Sequence, residues 1–205
     1  MKKVGIMGGT FNPVHFGHLF LAERTYEQLE LDQVLFIPSK NPPHKQKPQE
    51  VTDQQRVEML LLATEDNPHF EVSVMELERD GTTYTADTLS ILTRDNPDTQ
   101  YYFIVGADSL FSLPEWWSPE IIFAKCVVAA ACRDQVNKEG LEQQAEFLRR
   151  TYNAKIEIID MPTLMISSSE IKDNLSRGKS IKYYVPTAIE DYIKKNKLYL
   201  FPMEA

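Results

Sequence analysis

The chain has 205 residues, a formal net charge of −8, and 42% hydrophobic and 25% charged residues. That is enough apolar sequence for one self-sufficient core, and it sets aside both a disordered chain and a disulfide-stapled miniprotein. The acidic balance argues against a general nucleic-acid binder, whose surface must neutralise phosphates, while leaving room for a small phosphorylated ligand held by a few local cations.

At the N-terminus, two lysines and a short apolar run broken at once by glycines fit neither a signal peptide nor a membrane span. Strand patterns at residues 4–7, 34–38, 70–75, 101–105, 126–131 and 156–159 alternate with helical patterns at 16–29, 54–64, 86–93 and 139–151. Two helical segments follow the last strand, 168–176 and 186–195, the second opened by a proline. The alternation predicts an α/β fold, a doubly wound Rossmann-like parallel sheet with helices on both faces. Several strands are apolar throughout, as strands covered on both faces should be. Residues 1–205 read as a single domain, with about 167–205 forming a small C-terminal helical subdomain. The proline- and lysine-rich stretch 39–48 reads as a mobile loop at the carboxyl end of the second strand, where ligands of such sheets sit.

Cys126 and Cys132 bracket the fifth strand pattern. Their even spacing puts both on one face about 20 Å apart, too far for a disulfide, so buried free thiols in a reducing cytoplasm are expected. No Cys/His cluster suggests zinc. His69, between Pro68 and a strand, reads as a surface residue.

The first strand ends in Gly8-Gly9, and a helix begins near Phe16-Gly17-His18. Glycines let a backbone approach a ligand closely, and a helix start offers amides and a positive dipole end to an anion. His15 and His18, three apart, can stand on one side of that start. The spacing matches neither GxGxxG nor GxxxxGK[ST], so the common dinucleotide and P-loop fingerprints fail. Phosphate binding and structural histidines both remain open on these residues alone. Further on, serines precede a helical run with Glu170 in its first turn, which reads as a helix N-terminus able to cap itself or hold an oxyanion.

The string Gly8-Gly9-Thr10-Phe11-Asn12-Pro13-Val14-His15-Phe16-Gly17-His18 resembles the HxGH signature of the nucleotidyltransferase superfamily, and Ile166-Ser167-Ser168-Ser169-Glu170-Ile171-Lys172 resembles its ISSTxIR signature. The two occur in order towards opposite ends of the chain. Two departures stand out: Asn12 where many relatives carry aspartate, and Lys172 where arginine is usual, which keeps the charge but loses bidentate geometry. Tyr84-Thr85-Ala86-Asp87-Thr88-Leu89, Gly106-Ala107-Asp108, Leu113-Pro114-Glu115-Trp116 and Pro42-Pro43-His44-Lys45 are similar to segments of the bacterial nicotinate mononucleotide adenylyltransferases, and the likeness runs along essentially the whole chain.

The resemblance implies transfer of AMP from ATP to nicotinate mononucleotide, with Mg²⁺ accompanying ATP. It implies His15 and His18 as catalytic charge stabilisers. Gly8, Gly9, Thr10, Phe11, Gly106, Ile166, Ser167, Ser168, Ser169 and Lys172 would then contact ATP. His44, Lys45 and Arg133 would hold the mononucleotide phosphate, Asp108 a ribose hydroxyl, the Thr85 amide the nicotinate carboxylate, and Trp116, preferred to Trp117, the pyridine ring. The expected setting is cytoplasmic, without nucleic-acid or membrane partners; a homodimer is allowed, but nothing in the sequence selects it. Rival readings are another transferase on this scaffold, such as one acting on phosphopantetheine, and a module that binds ATP without turnover.

Overall fold

A computed structural model of the chain describes residues 1–40, 51–132, 135–162 and 164–199. Among them, six strands form one parallel sheet in the order β3-β2-β1-β4-β5-β6. The strands are β1 (Lys2–Gly9), β2 (Gln33–Pro38), β3 (Phe70–Val72), β4 (Thr99–Gly106), β5 (Val127–Cys132) and β6 (Lys155–Asp160). The helices are α1 (Phe16–Leu29), α2 (Asp53–Thr64), α3 (Thr85–Asp95), α4 (Ala107–Ser112), α5 (Pro119–Lys125), α6 (Gln135–Tyr152), α7 (Ser168–Ser176) and α8 (Thr187–Lys195). The doubly wound parallel sheet expected from the sequence is therefore the fold. None of the helices is long and apolar enough to cross a membrane, among the described residues.

The two faces of the sheet are packed separately, as strand alternation requires. Along β5, Val127, Ala129 and Ala131 enter one core with α1, α2, α7 and α8, while Val128, Ala130 and Cys132 enter the other with α3 and α6. Cys126 falls on the same face as Cys132, and both thiols are buried and free, as their spacing predicted. Burial pushes the Cys126 thiol up to about 12. Ile171 on α7 and Ile189 and Ile193 on α8 share a core with Met7, Val34 and Phe36.

Two expectations need correction, and three short elements have no counterpart in the sequence pattern. The third strand pattern, 70–75, is an edge strand of only three residues; the Ser73 N–H still reaches the Phe36 carbonyl, but Val74–Glu78 turns away. The short helices α4 and α5 and a 3₁₀ turn at Leu113–Glu115 carry no long period to detect, and prolines sit at the start of the last two. His69 is half-buried, its ring stacked on Tyr26 at 4.3 Å with a hydrogen bond between Tyr26 Oη and His69 Nδ1. The loop proposed for 39–48 lies, from residue 41 on, outside the described residues.

One buried cation holds the loops at the carboxyl end of the sheet. Arg56, on the inner face of α2, is fully buried. It donates to the Thr10 carbonyl at 2.8 Å, the Ser39 carbonyl at 2.7 Å and Asp53 Oδ1 at 2.6 Å. It thus ties together the chain leaving β1 and the chain leaving β2 by satisfying a carbonyl of each. Arg56→Ala should lower unfolding free energy by about 3 kcal/mol, from the cavity and the orphaned carbonyls, in a denaturant titration. The native chain should leave both thiols unreactive towards a thiol reagent until it is unfolded; fast labelling of the folded protein would contradict their burial.

Candidate active site

In the strand order found here, connections run in opposite directions from β1 and β4, so a crevice opens beyond their carboxyl ends. Those ends are Gly8-Gly9 on β1 and Gly106 on β4. A cavity of about 590 Å³ lies there, bounded by Gly8, Gly9 and Thr10 on one side. Thr85 and Trp116 line the same cavity, although they stand far from the glycines in sequence. The sequence reading missed Glu76, Thr83, Ser109 and Ser118, which also line it, and passed over Trp117, which does too.

Phe11 packs against both Gly9 and His18. Its ring is buried, 3.1 Å from where a Cβ on Gly9 would stand, and it meets the His18 ring edge-on at 5.1 Å. With φ at 46° and its side chain in the core, Phe11 has only backbone to offer a ligand. Asn12 follows, and its Oδ1 accepts from the Tyr199 hydroxyl at 2.6 Å, so an amide suits this position.

His15 and His18 are brought together as the sequence reading expected. His15 is the N-cap of α1, and its ring stacks on that of His18 with centroids 3.7 Å apart. The His15 N–H donates to His18 Nδ1 at 3.3 Å. An Nδ1 that accepts leaves Nε2 to carry the proton of a neutral imidazole, fixing the tautomer. The amides at this helix start are less available than the sequence suggested: Phe16 N–H donates to the Tyr184 carbonyl and His18 N–H to the His15 carbonyl. The histidine rings therefore offer polar atoms where those two amides do not.

The serine motif packs against this turn. Ser168 Oγ donates to the Pro13 carbonyl at 2.9 Å, and Ser167 caps α7 by accepting from the Glu170 N–H. A Cβ on Gly17 would crowd the His15 ring, 3.0 Å from its Nδ1, while standing at ordinary contact distance, 3.5 Å, from the Ile166 carbonyl. Ser169 is exposed in the first turn of α7, and Lys172 is half-buried one turn on. The Tyr184 hydroxyl donates to Glu170 at 3.3 Å.

On the cavity side, Thr85 opens α3 as its first residue, ahead of the Asp87 and Thr88 amides that donate to the Tyr84 carbonyl. Trp116 is partly buried, edge-on to Phe103 at 6.1 Å, with its indole N–H donating to Ser112 Oγ. Trp117 is exposed and lies against Tyr84 at 5.3 Å. Gly106 caps α4, and Asp108 is exposed in its first turn. Glu76 is buried; desolvation raises its carboxyl above the ordinary range, opposed by a hydrogen bond from Thr88 and the charge of Arg79. His44, Lys45 and Arg133 lie outside the described residues.

Residues 6–174 match the model of the cytidylyltransferase-like family. A relative from Lachnoclostridium phytofermentans, named a probable nicotinate-nucleotide adenylyltransferase, is 48% identical, over 98% of this chain and 100% of its own length. One of the same name from a Thermoanaerobacter species is 41% identical over 96% of this chain and 94% of its own. Among solved structures, a Plasmodium falciparum nicotinic acid mononucleotide adenylyltransferase complexed with NaAD has the same fold, with a TM-score of 0.79 at 21% identity over 97% of this chain and 98% of that one. A cavity at the β1–β4 divergence, a stacked histidine pair and full-length relatives all converge: this chain belongs to the cytidylyltransferase-like family and, within it, to the nicotinate-nucleotide adenylyltransferases.

Proposed function

We propose that this chain transfers AMP from ATP to nicotinate mononucleotide, giving nicotinate adenine dinucleotide and pyrophosphate, a step of NAD biosynthesis. The observation that carries the reading is that Thr85 and Trp116 share one cavity with Gly8, Gly9 and Thr10. A residue pair suited to a pyridine carboxylate thus adjoins the turn that leads to the histidines.

In the reaction, an oxygen of the mononucleotide 5′-phosphate attacks the ATP α-phosphorus, and the bond from that phosphorus to the β-bridging oxygen breaks as pyrophosphate leaves. The nucleophile is already anionic, so no protein base is required, and catalysis reduces to alignment and stabilisation of phosphoryl charge. His18, with Nδ1 occupied by the His15 amide, directs an Nε2–H donor at the α-phosphate oxygens, and His15 stacks beneath it. Ser167, Ser168, Ser169 and Lys172 hold the β- and γ-phosphates, with the Ile166 backbone beside them. Gly8, Gly9, Thr10 and Gly106 border the nucleotide, and Phe11 contributes backbone. Asp108 meets a ribose hydroxyl, and His44, Lys45 and Arg133 hold the acceptor phosphate. The positive end of α3 at Thr85 favours a ring carboxylate over a neutral carboxamide, and Trp116 stacks on the ring.

Mg²⁺ bound to ATP would neutralise phosphate charge. Among the described residues no three His, Cys, Asp or Glu converge to hold a metal. The ion is therefore proposed to enter on phosphate oxygens and water, as Mg²⁺ commonly does in nucleotide sites. We assign the activity to a single domain in the cytoplasm, with ATP and the mononucleotide as partners and a homodimer as an open arrangement.

Pyrophosphate release with ATP and Mg²⁺ should be fastest with nicotinate mononucleotide, slower with nicotinamide mononucleotide and negligible with phosphopantetheine; the reverse order would overturn the acceptor assignment. His18→Ala should lower kcat by about 100-fold or more while leaving the circular dichroism spectrum intact, the scale of losing one positioned donor. Near-normal turnover by that variant would remove the histidine from the mechanism. Trp116→Ala should raise KM for nicotinate mononucleotide about tenfold and leave KM for ATP nearly unchanged. An equal rise for both substrates would assign Trp116 to packing against Phe103.

A further inference from the structure

We propose that Glu76 is the positioning residue of the acceptor site: through the Thr88 hydroxyl it holds the first turn of α3, and so the Thr85 amide, at a fixed aim into the cavity. The inference deepens the proposed acceptor reading and rests on it for the identity of the ligand.

The hydroxyls of neighbouring helical residues show why Thr88 stands out. Ser90 and Thr93 on α3 donate to the carbonyls of Ala86 and Leu89, four residues back, and Thr25 and Thr64 do the same on α1 and α2. That is the ordinary resting place of a helical hydroxyl. Thr88 has the same option, since the Tyr84 carbonyl lies 3.3 Å away. Its shortest contact is instead Glu76 Oε1, at 2.6 Å, across a gap of twelve residues. A hydroxyl has one proton to donate, so the bond to Glu76 is made at the expense of the local one.

The hydroxyl oxygen then accepts from Arg79 Nη1 at 3.1 Å, while Arg79 Nη2 pairs with Asp87 at 3.3 Å. Arg79, Thr88 and Glu76 form a directed chain of hydrogen bonds from the 76–79 turn onto α3. Its point of attachment is three residues after Thr85, one turn along the same face. The Tyr84 carbonyl, at the N-cap, is left to the Asp87 and Thr88 amides. A carboxyl group buried in the wall of a cavity that Thr83, Thr85 and Trp116 also line is costly for the fold unless its partners compensate. Its placement at the wall of the cavity rather than elsewhere along α3 ties that cost to the site.

The test compares the full-length chain with Glu76→Ala, Glu76→Gln and Thr88→Val, first confirming pyrophosphate release by the unmodified chain with nicotinate mononucleotide. Glu76→Ala and Thr88→Val should each raise KM for that acceptor about tenfold or more, the scale of one strong hydrogen bond, with kcat and KM for ATP within about threefold. The double variant should be no worse than either single one, since both cut the same chain. Glu76→Gln keeps an acceptor oxygen for Thr88 and should stay within about threefold of the unmodified chain. Amide hydrogen exchange at residues 84–88 should quicken in Glu76→Ala and Thr88→Val and not in Glu76→Gln. This second readout needs no turnover, so a wrong acceptor and a wrong role for Glu76 give different results. Unchanged exchange in Thr88→Val, or equal damage from alanine and glutamine at position 76, would overturn the proposal. Should Glu76→Ala fail to fold, the nearly isosteric Thr88→Val carries the test.

Discussion

The candidate site depends on one close approach between the two ends of the chain. Ser168 donates to the Pro13 carbonyl across 155 residues, and the Phe16 amide donates to the Tyr184 carbonyl. The Ile166 backbone passes close to the start of α1, and Gly17 beside it leaves room for the His15 ring. A side chain at position 17 would press on the His15 ring, whose Nδ1 stands 3.0 Å from the Cβ position. The Ser168 hydrogen bond to the Pro13 carbonyl thus makes the serine turn a neighbour of the histidine turn.

Around that contact the sheet supplies the frame. Parallel strands place all their carboxyl ends on one edge, and the divergence of β1 and β4 opens a crevice there without any loop having to be pushed aside. The apolar strands are covered on both faces, so the crevice walls are held by two independent cores. Arg56 adds the third constraint, gathering the carbonyls of Thr10 and Ser39 at the rim of the cavity. A buried guanidinium can do this because its planar fork reaches several acceptors at once.

These devices were unequally legible. The glycine turn, the histidine pair and the serine motif are contiguous strings, and the structure brings the strings together. Arg56 left a fainter trace: it falls four residues before Leu60 and seven before Ala63, on the buried stripe of α2. A charge at such a position signals an inward polar role, and the periodicity alone could have found it. Glu76 gave no comparable sign. It lies one residue beyond a predicted strand that ends early, and the turn at Val74–Glu78 aims it at α3. His69 was misread for a similar reason, since stacking on Tyr26 joins residues 43 apart.

The sequence by itself determined the fold class, the order of strands and helices, the separation of the two cysteines and the two signature turns, because each rests on a local period or a local string. Only the tertiary structure decided which residues share a cavity. It set Thr85 and Trp116 against Gly8 and Gly9, confined Phe11 to the core, and tied the amides of Phe16 and His18 to other carbonyls. Those outcomes depend on how the sheet diverges and on which side chain reaches which carbonyl across long loops, distances that no pattern of neighbouring residues encodes.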